Sequence, residues 1–281
     1  TPVVEQKRVT PLFDSNEDAP LILAVDDHPI NRDLLARQIR LLGLRAETAE
    51  HGQDALIKWK TGRFDMVITD CHMPEMDGYS FAQAVRNIEK EQRQQPTPIV
   101  AWTANARTEE EQFCKDAGMD DLLVKPCDLL HIKKILVKWL SLSEADENQS
   151  RNAASARELI SQHKDPIDYT ELSKVITDST EQVTVLLDFQ QHIRADRAHL
   201  IALLEQGDSD VQHTAHRMKG SCQMVGATEM AKACATIEQA VKNGDFELAR
   251  SEMTALGKIF EQLDNYLSNL KALQGDTDET G

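Results

Sequence analysis

The sequence predicts two folded units in succession, an α/β unit with a parallel sheet and an all-α unit. A length of 281 residues suggests about two domains. Over residues 21–140, short aliphatic runs alternate with longer segments of helical period, which is typical of βα units. After Asp168 every strong signal has helical period, and the breaks fall at Gly207, Gly226 and Gly244. The fold class is therefore α/β followed by all-α.

Five strands are expected in the first unit. They are residues 21–25, 45–49, 66–69, 98–102 and 122–124. The first, third, fourth and fifth are nearly all apolar, as expected when helices cover both faces of a parallel sheet, whereas the second is more polar and indicates an edge strand. The order 2-1-3-4-5 follows, which describes a doubly wound, flavodoxin-like sheet.

Helices alone are predicted for the second unit. A short lead helix covers residues 169–175, and four longer helices cover 181–206, 210–225, 229–243 and 246–273. Their short connections favour antiparallel neighbours, so we expect a four-helix bundle.

Three segments have the composition of linkers or tails. Residues 1–20 are expected to be a linker from a longer protein, since they begin without Met and lack the features of a signal peptide. Residues 141–166 are rich in Ser, Glu, Asp, Asn and Ala and suit a flexible linker. Residues 274–281 are polar, and we expect a disordered tail.

Composition excludes some functions for this segment. There are 47 acidic and 31 basic residues, a net charge of -16, which argues against a nucleic-acid surface. The apolar runs are too short to cross a bilayer, so no membrane contact is expected. Five cysteines without C-x-x-C spacing fit reduced thiols in a cytosolic compartment.

Polar residues of a useful kind follow four of the predicted strands. Asp26 and Asp27 follow the first, Asp70 the third, Thr103 the fourth and Lys125 the fifth. Ligands of such sheets bind beyond the carboxyl ends of the strands, at the switch between strands one and three. Because Mg²⁺ prefers oxygen ligands, the sequence predicts a magnesium site there, with Asp27 and Asp70 as direct ligands.

The same residues suit phosphoryl transfer. A carboxylate such as Asp70 can act as a nucleophile and form an acyl phosphate. The ammonium of Lys125 and the hydroxyl of Thr103 can stabilise charge on the moving group. Each feature alone is weak, since Asp-Asp is usually a helix cap and Lys-Pro usually a loop. Their appearance together, in this order along the chain, supports a phosphoryl-transfer site.

The motifs VDDHPINR, ITDCHMPEMDG, WTANA and VKP resemble the receiver domain of two-component response regulators across residues 21–140. The resemblance implies a flavodoxin/CheY-like fold and a bound Mg²⁺. It also implies a role for each residue, namely Asp70 as phosphoacceptor, Asp26 and Asp27 as the acidic pair for Mg²⁺, Thr103 as the switch hydroxyl, Lys125 as the phosphate contact and the main-chain carbonyl of His72 as a further metal ligand.

Two further observations concern this site. The side chains of His28 and His72 do not fit the metal pattern, and we expect both to be exposed polar residues. Many receivers carry Tyr or Phe three residues before the lysine, but Leu122 stands there. This departure favours a relay over an allosteric output.

A second site is predicted on a helix of the all-α unit. His216 is followed by Lys219 and Gly220, which fall on the same helix face. An exposed imidazole can attack an acyl phosphate, and the lysine can offset phosphate charge. Glycine inside a helix lowers its stability by about 1 kcal/mol relative to alanine, so the presence of Gly220 needs an explanation. We expect that it leaves room for a loop of another domain to approach.

The pattern H-x-x-K-G within a helical bundle resembles the histidine-containing phosphotransfer (HPt) domain, across residues 167–273. His213 gives an H-x-x-H pair with His216, but zinc requires more ligands. Four other histidines in this half of the chain lack the lysine and glycine that follow His216, and we interpret them as surface or packing residues. They are His163, His192, His199 and His213.

A receiver followed by an HPt domain resembles the carboxyl-terminal end of unorthodox hybrid sensor histidine kinases of the BvgS/EvgS type. The resemblance implies that phosphate passes from a histidine in the upstream kinase core of the same polypeptide to Asp70, then to His216, then to an aspartate in the receiver domain of a separate response regulator. The chain contains no G-x-G, so this segment lacks an ATP-binding kinase core and only relays phosphate. It is expected to be cytoplasmic, in a parent protein of the bacterial inner membrane.

Two alternatives stay open at this point. The receiver could be a protein-interaction scaffold that is not phosphorylated, for which Leu122 is the only hint. A small-molecule phosphatase with a carboxylate nucleophile would need a second acid two residues after Asp70, where His72 stands.

Overall fold

The computed structural model describes residue 12 and residues 18–104, 108–140, 165–176, 178–208 and 210–275, with side chains up to residue 271. The expected linkers 1–20 and 141–166 and the tail 274–281 lie largely outside the described residues. The elements, in chain order, are β1 Leu21–Val25, α1 Pro29–Leu41, β2 Arg45–Ala49, α2 Gly52–Thr61, β3 Met66–Thr69, α3 Gly78–Gln92, β4 Ile99–Thr103, α4 Thr108–Asp116, β5 Asp121–Val124, α5 Leu129–Trp139, α6 Tyr169–Val175, α7 Ser179–Gln206, α8 Val211–Met224, α9 Thr228–Lys242 and α10 Phe246–Gly275.

The first half of the chain is an α/β layer structure around one parallel sheet of order β2-β1-β3-β4-β5, which confirms the prediction. The central strands β3 and β4 are buried throughout, because helices cover both faces. The polar β2 lies at one edge, as expected. At the other edge, β5 is only partly buried despite its apolar sequence.

The register of the sheet brings the strand ends together. Val25 pairs with Thr69 across β1 and β3, and Thr103 pairs with Val124 across β4 and β5. The polar residues that follow these strands therefore emerge at one edge of the sheet.

Helices α7 to α10 form the predicted bundle, preceded by the short α6. The core is built from α7, α8, α9 and α10, with fully buried residues such as Leu186, Phe189, Cys222 and Ile237. The helix breaks are confirmed: Gly207, Gly226 and Gly244 adopt left-handed φ of 67°, 75° and 78°. Helix α10 ends at Gly275, two residues beyond the predicted end.

The two halves contact each other. Helix α1 of the α/β half packs against α7 and α8 of the bundle. Among the described residues, no helix is long and apolar enough to cross a membrane.

Candidate functional site

Three carboxylates cluster at the carboxyl edge of the sheet. Asp26 and Asp27 directly follow β1, and Asp70 follows β3. Each offers a carboxylate oxygen, and these oxygens lie within 4.8 Å of one another. The sequence predicted this convergence, because the two strands are parallel neighbours.

Lys125 bridges two of these carboxylates. Its Nζ lies 2.6 Å from Oδ2 of Asp26 and 3.0 Å from Oδ2 of Asp70, and it stacks 4.8 Å above the ring of Trp102. Burial lowers the pKa of Lys125, but the two carboxylates outweigh burial and raise it above the usual value. The lysine is therefore a fixed cation inside the acidic cluster.

Asp70 is held ionised in a buried position. Burial raises its pKa, but the opposing effects, of which the charge of Lys125 is the largest, outweigh burial, so the pKa of Asp70 lies below its usual value. The backbone N–H of Cys71 donates to Oδ1 of Asp70 at 2.8 Å. An ionised carboxylate is the form that can act as a nucleophile.

The loop after β3 and the end of β4 complete this cleft. A Cβ at Gly78 would lie 2.1 Å from the carbonyl oxygen of Asp70, so only glycine fits there. Thr103 ends β4 and is fully buried, and its carbonyl accepts the backbone N–H of Lys125 at 2.7 Å. Both residues thus lie in the cleft that the sequence predicted.

The donor set fits a hard cation. Burial raises the pKa of Asp26 to about 6, even though Lys125 lowers it, and the neighbouring Asp70 and Asp27 carboxylates add to the rise. Asp26, Asp27 and Asp70 supply only oxygen donors, which suits Mg²⁺. The three side chains predicted for the metal are thus together.

The predicted histidine site lies on α8, and Glu238 of α9 binds both His216 and Lys219 there. Nδ1 of His216 lies 2.7 Å from Oε1 of Glu238, and Nζ of Lys219 donates to Oε2 of the same carboxylate at 2.6 Å. Burial raises the pKa of Glu238, but its bonds to His216 and Lys219 outweigh burial and bring the pKa to about 2. Sequence reasoning missed Glu238, since nothing in its spacing from His216 points to it.

His216 is less accessible than the exposed imidazole that the sequence analysis considered. The residue is only 7% exposed, because the α/β half covers it. The ring of His72, two residues after Asp70, meets the ring of His216 edge-on at a centroid distance of 4.8 Å. The two predicted sites therefore face each other across the boundary between the halves.

His72 belongs to a polar group beside this boundary, and its side chain is 41% exposed. Its Nε2 lies 3.2 Å from Glu110, which also accepts a hydrogen bond from the hydroxyl of Tyr79. Burial raises the pKa of Glu110, but the bonds to His72 and Tyr79 bring it to about 2. A cleft of about 590 Å³ between the halves is bordered by this group and by His216.

His28 was predicted to be exposed, and this is wrong. The residue is 1% exposed, because it caps α1 and lies under the bundle. Its Nδ1 accepts the N–H of Ile30 at 3.2 Å, and its Nε2 points at Oδ2 of Asp196, 3.4 Å away on α7. The side chain of His28 thus lies at the boundary between the two halves.

His213 also contacts the other half, which corrects its interpretation as an ordinary surface or packing residue. Its Nε2 lies 3.2 Å from Oδ2 of Asp27. Among the described residues, the cluster of Asp26, Asp27 and Asp70 is the only group of three or more potential metal ligands, so the H-x-x-H pair forms no such group.

Gly220 faces α1 rather than a loop. A Cβ at this position would lie 3.5 Å from Nδ2 of Asn31, an ordinary contact distance. A helix of the other domain, rather than a loop, thus lies where the glycine was expected to leave room, and the space admits a methyl group.

Two family models match this chain. Residues 22–137 match the response regulator receiver domain family, and residues 184–272 match the Hpt domain family. A solved structure of the receiver domain of sensor histidine kinase PA1611 from Pseudomonas aeruginosa, with magnesium ion coordinated in its active site cleft, is 34% identical; the match covers 44% of this chain and 98% of that one, with a TM-score of 0.40.

Two curated relatives match across both halves. Sensor histidine kinase GacS of Pseudomonas protegens is 30% identical over 229 residues, which are 81% of this chain and 25% of the relative. Virulence sensor protein BvgS of Bordetella pertussis is 31% identical over 224 residues, which are 78% of this chain and 18% of the relative. The match thus spans a quarter or less of each relative. The chain carries a receiver domain followed by an HPt domain and is homologous to hybrid sensor histidine kinases.

Proposed function

We propose that this chain relays a phosphoryl group between Asp70 of the receiver domain and His216 of the HPt domain, within two-component phosphorelay signalling. The observation that supports this most is the contact between the two sites. The ring of His72, two residues after Asp70, meets the ring of His216 edge-on at a centroid distance of 4.8 Å. In this proposal the receiver spans residues 21–140 and the HPt domain residues 167–273.

In the first step, a carboxylate oxygen of Asp70 attacks the phosphorus of an incoming phosphohistidine. The N–P bond of the donor breaks and the O–P bond of an acyl phosphate forms. Lys125 and Thr103 stabilise charge on the phosphoryl oxygens, and the neighbouring N–H of Cys71 orients the carboxylate.

In the second step, His216 takes the group. Glu238 accepts the N–H at Nδ1, so the lone pair of the neutral imidazole lies on Nε2. That nitrogen attacks the acyl phosphate, the O–P bond breaks, and the Asp70 carboxylate is released. Lys219 is bound to Glu238, so it acts by holding this carboxylate as well as by offsetting phosphate charge.

Asp26, Asp27, Asp70 and the carbonyl of His72 would hold Mg²⁺. The ion supplies positive charge to phosphoryl oxygens when bound.

The wider pathway is also part of the proposal. The donor is the histidine of a kinase core upstream in the same polypeptide, and the final acceptor is the receiver domain of a separate response regulator. This segment lies in the cytoplasm, and the parent protein lies in the bacterial inner membrane. Leu122 in place of an aromatic residue supports a relay role for this receiver rather than an output role.

Phosphotransfer from a radiolabelled kinase core tests the order of the relay. Asp70→Asn should block labelling of His216, because the first acceptor is missing. His216→Gln should leave Asp70 labelled but stop transfer to the regulator. If His216→Gln still feeds the regulator, the proposed order is wrong.

Acetyl phosphate separates the relay from a scaffold function. The relay requires an acid-stable, alkali-labile label on Asp70 in the presence of Mg²⁺. The label is sought in folded His216→Gln, which cannot pass the group on, and its absence there would favour the scaffold.

A further inference from the structure

The Asp27 carboxylate is contacted by the HPt domain. Oδ2 of Asp27 lies 3.2 Å from Nε2 of His213 and 3.9 Å from Nε of Arg217, and both residues belong to α8. The Asp27 side chain is 5% exposed. A residue suited to bind Mg²⁺ is thus covered by basic groups of another domain.

Arg217 is positioned for this contact from within the HPt domain. Its Nη2 donates to Oδ1 of Asp196 on α7, which fixes the guanidinium. Its Nε is buried and has no hydrogen-bond partner among the described residues. The unpartnered donor and the nearby Asp27 carboxylate form an ion pair.

The three carboxylates differ in where their partners come from. The side chains of Asp26 and Asp70 pair with Lys125, inside the receiver. The Asp27 side chain instead contacts His213 and Arg217 of the HPt domain. Docking of that domain therefore changes the environment of Asp27 directly.

Two physical effects then act in the same direction. The Asp27 oxygen that accepts from His213 has fewer lone pairs to offer a cation, and the guanidinium of Arg217 repels a dication at the cluster. Because linkage is reciprocal, a cation at the cluster must weaken docking by the same factor.

We propose that Mg²⁺ binding at Asp26, Asp27 and Asp70 and docking of the HPt domain oppose each other through His213 and Arg217. This coupling rests on the proposed function, since it concerns the same cleft. Its consequence is that a metal-loaded receiver releases α8 more readily, which frees His216 for the next acceptor. His213 and Arg217 are positioning residues in this scheme.

Isothermal titration of Mg²⁺ into the full chain, without any phosphoryl donor, tests the coupling. His213→Ala and Arg217→Ala should each bind Mg²⁺ about threefold to tenfold more tightly than the wild type. Arg217→Lys keeps the charge and should bind more weakly than Arg217→Ala. Matched controls are His199→Ala, an exposed position on α7, and Arg250→Ala, whose partner Glu247 lies on α10; both should bind like the wild type.

Hydrogen exchange gives a second readout on the wild-type chain. Mg²⁺ should accelerate amide exchange in α1 and α8, the helices that meet at the boundary. Unchanged or weaker Mg²⁺ affinity in folded His213→Ala and Arg217→Ala, or exchange that does not respond to Mg²⁺, would overturn the proposal.

The two proposals fail in different ways. A shift in Mg²⁺ affinity without any labelling of Asp70 by acetyl phosphate would support the coupling and refute the relay. Normal labelling with unchanged Mg²⁺ affinity would do the opposite.

Discussion

The receiver site and the HPt site use the same kinds of groups in different surroundings. In the receiver, Lys125 is bound between two carboxylates that are 5% exposed or less. In the HPt domain, Lys219 and His216 share one carboxylate, that of Glu238, which is 20% exposed. The first site concentrates charge where water is excluded, and the second keeps one charge cluster near solvent.

The difference suits the role proposed for each site. A buried acidic cluster can bind a dication, and the charge of Lys125 within it keeps Asp70 ionised, so the site can form an acyl phosphate. A histidine needs only a fixed tautomer and access to its partner, and one hydrogen bond to Glu238 provides the tautomer. Loss of one charge should therefore lower the free energy of unfolding more at the receiver site than at the HPt site.

Removal of the lysine in each site tests this difference. Lys125→Met should destabilise the chain by about 3 kcal/mol, because it leaves two buried carboxylates without their cation. Lys219→Met should cost only about 1 kcal/mol, since Glu238 is partly solvated. Urea denaturation without Mg²⁺ measures both. Equal losses in the two variants would show that burial does not distinguish the sites.

The pH dependence of stability tests the lowered pKa of Glu238. Its pKa is about 2 in the folded chain against a usual value of 4.5, so the folded state favours the ionised form. The resulting stability is fully present above about pH 4.5 and is lost as pH falls toward 2. The stability difference between the wild type and Glu238→Gln should thus shrink over that window, by up to about 2 kcal/mol. A constant difference from pH 6 to pH 3 would contradict the assignment.

Glu238→Gln should also slow transfer from phospho-Asp70 to His216. The amide can donate as well as accept, so it no longer selects the tautomer with a free lone pair on Nε2. We expect about a tenfold lower rate in a single-turnover assay, with labelling of Asp70 unchanged. The matched control is Glu229→Gln on the same helix, which should transfer at the wild-type rate.

Two substitutions at Gly220 should separate helix stability from docking. Gly220→Ala should stabilise the HPt domain by about 1 kcal/mol, because alanine favours helices and its methyl group fits 3.5 Å from Asn31. Transfer should persist in this variant. Gly220→Leu should keep the helix but block transfer by displacing α1. Transfer at the wild-type rate in Gly220→Leu would show that the space at Gly220 is not needed for docking.

Much of the receiver site followed from the sequence because its residues come at strand ends. Parallel strands must leave the sheet at one edge, so Asp26, Asp70 and Lys125 had to converge wherever they stood in the chain. Within the HPt domain, Lys219 and Gly220 were found by local helical spacing. Convergence of strand ends and helical spacing both depend only on the secondary structure, and the apolar pattern of the sequence predicts that secondary structure.

The contacts that only the tertiary structure decided join distant residues on different elements. Glu238 stands 22 residues after His216, and His213 stands 186 residues after Asp27. No periodicity links such pairs, because their distance depends on how α9 packs against α8 and how α8 packs against α1. For the same reason, the burial of His28 and His216 could not be predicted from the sequence. The sequence by itself predicted the two sites, whereas the packing of the two domains decided which of their faces meet.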